Sequence, residues 1–256
     1  MIAAMETIKL EQDGGIAILT LNRPDVRNAI NMKMVQDIHE VLAQLEHDPS
    51  IKVVVFTGSG HTFISGGDLE QFGAARGFEE ALPLLSKVGE LLQRIANFPK
   101  PVIAMINGTA VGGGCEFAAA CHIRVASEEA MLGFVQIGMH ITTGWGGGSR
   151  LLSLLPEAKA LTLLLTGEKV SAQVAQSYGL IDFVHPAELL RVQTLSLAAK
   201  IAKQPLASIT AYMKLLAWKR TGLSMEERIR LEIEQCAGLW GSEQHIGAIE
   251  RFFRKE

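Results

Sequence analysis

Residues 102–127 read VIAMINGTAVGGGCEFAAACHIRVAS, and the fold class turns on this stretch. A short apolar run at 102–107, bracketed at its start by Pro99 and Pro101, predicts a buried strand. A glycine cluster follows at 112–114, then a short apolar helix, then a second strand at 123–126. Strand, helix and strand in so few residues form a βαβ unit, the mark of an α/β protein.

The same alternation extends upstream. KVVVFT at 52–57 is a continuous β-branched run, as suits a parallel strand covered on both faces. Asn31 starts a helix whose apolar residues Met34, Val35, Ile38, Val41, Leu42 and Leu45 recur at three- and four-residue spacing, and Asp48-Pro49 ends it. A strand is predicted at 16–21 after the turn Asp13-Gly14-Gly15, and a helix at about 79–97. Downstream of Pro156 the chain turns mostly helical. Ser171 is a predicted N-cap for a helix to Tyr178, and helices are predicted at 187–203, 206–220 and 225–240. Two parts result: an α/β core over 1–190 and a helical region over 191–256.

Composition limits the class of function. The 256 residues carry 24 Lys+Arg against 27 Asp+Glu, a net charge of −3, with 48% hydrophobic and 20% charged residues. Disordered chains are less apolar, and general nucleic-acid binders carry a basic excess. No apolar run reaches the ~18 residues of a membrane span, and the first residues do not resemble a secretory signal. Cys115, Cys121 and Cys236 show no disulfide or zinc spacing, so a reducing cytoplasm is expected. Standard nucleotide, zinc and hydrolase signals fail too: the glycine runs at 112–114 and 146–148 have the wrong spacing, and His39-Glu40 lacks a second histidine. The histidines do not cluster, and His39 and His47 are expected on helix surfaces.

Two segments share a shape. TGSGHTFISGGD at 57–68 and the glycine run at 112–114 each follow a strand. Glycines there free backbone N–H groups to face a ligand that no Cβ keeps away, and a helix N-terminus adds partial positive charge. Two such N–H groups can form an oxyanion hole. Glu116 lies one turn beyond Gly113 in an apolar stretch, where a carboxylate is costly unless paired or used for proton transfer.

SGGDLEQF at 65–72 and the stretch at 106–127 resemble the two oxyanion-hole motifs of the crotonase, or enoyl-CoA hydratase/isomerase, superfamily. LNRPDVRNAINMKM at 21–34 resembles its N-terminal signature. The resemblance implies a spiral of ββα turns with a helical trimerisation region, and a homotrimer or a dimer of trimers. It also implies an acyl-CoA thioester substrate and no cofactor beyond the coenzyme A that the substrate carries. By position, Gly67 and Gly113 would polarise the thioester carbonyl and Glu116 would be a catalytic carboxyl. Ile64, Ser65, Gly66, Asp68, Leu69, Gly112 and Ala29 would line the substrate path. Arg23, Arg27, Lys33 and Lys255 are candidates for the CoA phosphates, with Phe252 near Lys255. Trp145 would either wall the acyl pocket or sit in the core.

Three positions depart from the family pattern. Gln136 stands where hydratases carry a second glutamate, His140 where glycine is usual, and Thr143 where proline is usual. TGWGGGSRL at 143–151 and the C-terminal 225–253 resemble the ethylmalonyl-CoA decarboxylase branch. A malonyl-type substrate brings its own carboxylate, which a neutral Gln136 would not repel. The favoured expectation is therefore decarboxylation of an alkylmalonyl-CoA. The alternatives are hydration or isomerisation by Glu116 alone, and a non-catalytic binding protein.

Overall fold

The structure, a computed structural model, describes residues 5–254. The chain divides into two compact units, Met1–Lys203 and Gln204–Glu256, and not at 190/191 as the sequence suggested.

In the first unit β1 (Ile8–Asp13) and β2 (Ile16–Leu21) form a hairpin, followed by α1 (Met32–His47). Three turns of a spiral come next. Each sends one strand to a large sheet and one to a small sheet before a helix. They are β3 (Val53–Gly58) and β4 (Thr62–Ile64) with α2 (Leu69–Phe72) and α3 (Gly77–Ala96); β5 (Val102–Ile106) and β6 (Thr109–Val111) with α4 (Gly113–Ala120); and β7 (Ile123–Ser127) and β8 (Met131–Gly133) with α5 (Gly147–Leu154) and α6 (Glu157–Thr166). The unit closes with β9 (Val170–Ser171), α7 (Ala172–Tyr178), β10 (Phe183–His185) and α8 (Ala187–Ala202). The large sheet runs β1-β2-β3-β5-β7-β10 and is parallel beyond the hairpin; the small sheet runs β4-β6-β8-β9. This is the expected crotonase spiral.

The residues explain the layers. Asn31 caps α1 by accepting the Met34 N–H at 2.9 Å, and the apolar stripe of that helix is buried. Successive residues of β3 face opposite sides. Val54 and Phe56 enter the core shared with α1, α3 and α4, while Val53 and Val55 enter a second core with Leu190, Ala198 and Ala202 of α8. The unbroken apolar run of β3 therefore needs α8 as its second cover. That is why the boundary falls after α8 rather than at 190.

Arg124 on β7 ties this end together. It is 4% exposed, its Nε and Nη1 donate to the Leu180 and Cys121 carbonyls at 2.7 Å each, and its Nη2 pairs with Asp182 at 2.9 Å.

The second unit holds α9 (Leu206–Arg220), α10 (Met225–Leu239) and α11 (Glu243–Arg254). Ser224 and Glu227 form a reciprocal capping box at the start of α10. Ile209 is the one buried apolar residue among those described there, whereas Ile233, Trp240, Phe252 and Phe253 are exposed. Among the described residues no helix is long and apolar enough to cross a membrane.

Replacing Arg124 with methionine strands two buried carbonyls. Arg124→Met is expected to cost about 3 kcal/mol, read as a lower urea midpoint with an unchanged m-value.

Candidate active site

The site is built where β6 runs into α4. Gly112 takes φ +55°, ψ −118°, a conformation that favours glycine, and its N–H donates to the Gly133 carbonyl at 2.8 Å. The turn delivers Gly113 to the first position of α4, where a helix leaves its N–H without an intrahelical acceptor. A Cβ on Gly113 would overlap the Trp145 ring, and one on Gly114 would overlap the Ile64 carbonyl. Both glycines are therefore required by close packing.

The second glycine turn lies alongside. Ile30 bridges Gly67 in parallel fashion: the Ile30 N–H donates to the Gly66 carbonyl, and the Asp68 N–H donates to the Ile30 carbonyl, each at 2.9 Å. Such a bridge uses the groups flanking Gly67 and leaves its own N–H aside. Gly66, at φ +114°, lies so close to α4 that a Cβ on it would stand 3.6 Å from the Gly113 nitrogen. Among the described residues neither the Gly67 nor the Gly113 N–H has a protein acceptor.

Glu116 is 2% exposed, and its carboxylate accepts from four donors. Oε1 takes the Gln136 Nε2 at 2.9 Å and the Gly144 N–H at 3.3 Å; Oε2 takes the Trp145 and Gly147 N–H groups at 2.8 Å each. Burial pushes its pKa up, and these donors pull it back down, leaving it above the ordinary carboxylate value. Gln136 sits on a 3-10 turn, Val135–Met139, and is itself buried. Its Nε2 serves Glu116, while its Oε1 is buried without a partner.

The departures from the family pattern have local reasons. His140 takes φ 58°, ψ 31° to close the 3-10 turn, a left-handed conformation in which glycine is the easier residue. Its side chain is exposed. The Thr143 hydroxyl accepts the Gly148 N–H at 3.0 Å, a cap on α5 that a proline could not supply.

The structure thus brings Glu116, Gln136, Gly112, Gly113, Gly66, Gly67, Ile64 and Trp145 together. Trp145 is 5% exposed and belongs to the core. Its ring lies against Gly113, near Gly67, and 5.9 Å from Phe72. Other predicted residues are placed differently. Asp68 pairs with Arg23 at 2.7 Å and caps α2, and Arg23 also donates to the Ala29 carbonyl. Lys33 pairs with Asp37 at 2.6 Å. Arg23 and Lys33 therefore each have a carboxylate partner within the protein. Arg27 is exposed and has no ion pair among the described residues. Ala29 is buried, the Ser65 hydroxyl donates to the Val26 carbonyl, and Leu69 is largely exposed. Phe252 is 80% exposed on the second unit, and Lys255 lies outside the described residues. Sequence reasoning missed the N–H donors of Gly144, Trp145 and Gly147; the run GWGGG was the available signal.

A buried acid beside two free N–H groups is equipped to stabilise an oxyanion and to move a proton next to it. The comparisons agree. The pattern of the family described as Enoyl-CoA hydratase/isomerase matches residues 11–252. The chain is similar to a probable enoyl-CoA hydratase of Bacillus subtilis, 33% identical over 98% of this chain and 97% of the other. It is also similar to the 2,3-dehydroadipyl-CoA hydratase of Escherichia coli, 36% identical over 79% of each chain. A crystal structure of enoyl-CoA hydratase from Bacillus anthracis superposes with a TM-score of 0.93 at 28% identity, covering 98% of this chain and 97% of that one. The chain belongs to the enoyl-CoA hydratase/isomerase family.

The raised pKa of Glu116 has a thermodynamic consequence. Just above 4.5, its ordinary value, the unfolded chain has released this proton and the folded chain still holds it. The folded form then binds more protons, so the contribution of Glu116 to stability falls as pH rises through that window. Urea midpoints of the parent, set against Glu116→Gln, are expected to decline with rising pH above 4.5. Parallel curves would place Glu116 at its ordinary value.

Proposed function

We propose that the protein is an enoyl-CoA hydratase that uses one glutamate. The Gly67 and Gly113 N–H groups receive the thioester oxygen as negative charge develops on it, the place where such donors act most strongly. Glu116 takes a proton from water as the water oxygen bonds to Cβ. The Cα=Cβ electron pair shifts to form the thioester enolate. Glu116 then returns the proton to Cα, and the enolate collapses to the 3-hydroxyacyl thioester. Gln136 carries this reading. With Nε2 spent on Glu116, its unpartnered Oε1 can accept from the attacking water, holding it without competing for its proton. The names of the relatives fit the same reaction.

A second reading is decarboxylation of an alkylmalonyl-CoA. The specific observation in its favour is that residue 136 is a neutral amide in contact with Glu116, so a substrate carboxylate would meet one fewer like charge there. Loss of CO₂ would leave the same enolate, and protonated Glu116 would supply the Cα proton.

Of the cations expected to meet CoA phosphates, exposed Arg27 is the one left uncommitted among the described residues, with Lys255 proposed alongside. A homotrimer or a dimer of trimers is also proposed. It is supported by the exposed apolar residues of α10 and α11, among them Ile233, Ile249 and Phe252, a concentration that commonly marks an interface.

The test is substrate choice. Purified protein is expected to remove the enoyl absorbance of crotonyl-CoA faster than it releases CO₂ from ethylmalonyl- or methylmalonyl-CoA; the reverse order puts decarboxylation first. Glu116→Gln is expected to lose at least ~10²-fold in kcat while still binding CoA thioesters. Gln136→Glu is expected to keep or raise hydration. It should cut any alkylmalonyl-CoA turnover about 10³-fold, because two carboxylates ~4 Å apart repel by about 4 kcal/mol at an effective dielectric of 20.

A further inference from the structure

The backbone N–H groups that hold Glu116 come from a glycine-rich segment anchored at one point by the buried Trp145 ring. Gly144, Trp145, Gly146 and Gly147 precede or open α5, and Gly146 takes φ +85°, so their peptide planes have wide rotational freedom. Apart from Glu116 itself, one side chain hydrogen-bonds to this segment among the described residues. Arg150 on α5 donates through Nη1 to the Trp145 carbonyl at 2.8 Å and through Nη2 to Gln93 Oε1 on α3 at 3.0 Å. Its guanidinium lies over Gly146, where a Cβ would come within 2.8 Å of Nη1.

The peptide gripped in this way joins Trp145 to Gly146. It lies between the two peptides whose N–H groups, those of Trp145 and Gly147, give the 2.8 Å bonds to Glu116 Oε2. Holding the middle peptide restricts both neighbours, because each shares a Cα atom with it. We infer that Arg150 is a positioning residue for Glu116: its hold on the Trp145 carbonyl aims two N–H donors at one carboxylate oxygen and thereby sets the pH at which Glu116 carries its proton. This rests on the reading of Glu116 as the proton carrier.

Few other groups act on this carboxyl. On its own helix Cys115 is buried and its thiol is pushed up to about 12, so it stays neutral. The 3-10 turn contributes the neutral Gln136, α3 contributes the neutral Gln93 through Arg150, and α5 contributes the Arg150 charge, which attracts Glu116. Lysine in place of Arg150 would keep the charge and one donor but lose the planar fork that spans Trp145 and Gln93.

The experiment measures Glu116 in two ways. The carboxyl stretch in infrared difference spectra, with Glu116→Gln as the blank, gives its titration without any turnover. The pH dependence of kcat on crotonyl-CoA gives the limb it controls. Arg150→Met is expected to move both midpoints up by about one pH unit. On the acid side of the midpoint kcat should fall about tenfold while KM changes less than about twofold, the mark of a group acting on chemistry rather than on binding. Arg150→Lys is expected to recover more than about half of the shift. An infrared midpoint within ~0.2 pH unit of the parent in Arg150→Met overturns the inference. A midpoint that moves while the rate profile does not would sustain the positioning role and sink the proton-carrier reading instead. Should Arg150→Met fail to fold, Gln93→Leu, a surface change that frees one arm of the fork, carries the test. It is expected to shift the infrared midpoint the same way by a few tenths of a unit, and no shift overturns the inference.

Discussion

The structure around the site depends on one constraint: a carboxylate has been taken out of water. An isolated buried carboxylate is costly enough that it normally gives up its charge. Glu116 is kept in the core by four N–H donors, three of them from the backbone of a single turn. Backbone donors are free only where no helix or strand claims them, which places that turn before the first full turn of α5. The same constraint explains the glycines. A Cβ at Gly147 would overlap the Glu116 side chain itself, so α5 can approach α4 this closely only without side chains at the contact.

The amide at residue 136 belongs to the same account. With two carboxyls in hydrogen-bond contact, one must hold a proton, because like charges at that distance cannot both ionise. Gln136 instead donates to Glu116 and favours its charged form. Burial acts in the opposite sense and prevails. The result is a single acid whose proton affinity is a balance of desolvation against N–H donors, and that balance is adjustable through the geometry of residues 144–147.

Much of this was legible in the sequence, for identifiable reasons. The N-cap Asn31 and the stripe from Met34 to Leu45 specify α1 locally, as Ser171 specifies the start of α7. The buried run at 52–57 marks a central strand because both of its faces are covered. The small sheet was not legible: its strands have two or three residues, too few for any period to show. Strand β1 was missed because only one of its residues is fully buried. Helix α11 was also missed, and among the described residues it buries nothing. In the site, Glu116 and its glycines could be read from residue type and spacing. The N–H cage could not, since a backbone donor has no residue type. The commitments of Arg23 to Asp68 and of Lys33 to Asp37 could not be read as phosphate-binding or structural until their partners were placed.

Trp145 shows how the two glycine turns are held to one geometry. Its indole meets Gly113 on α4 and comes near Gly67 on the other turn, with Phe72 at its edge. A rigid ring touching both turns fixes their separation, and so the spacing of the two free N–H groups, more firmly than an aliphatic side chain with several rotamers would. The same residue lends its own N–H to Glu116. The position of the ring and the aim of that donor are therefore mechanically linked: a shift of the indole out of the glycine niche would disturb the spacing of the N–H pair and the hold on the carboxylate together. That shared dependence accounts for a large aromatic side chain buried in a segment otherwise made of glycine.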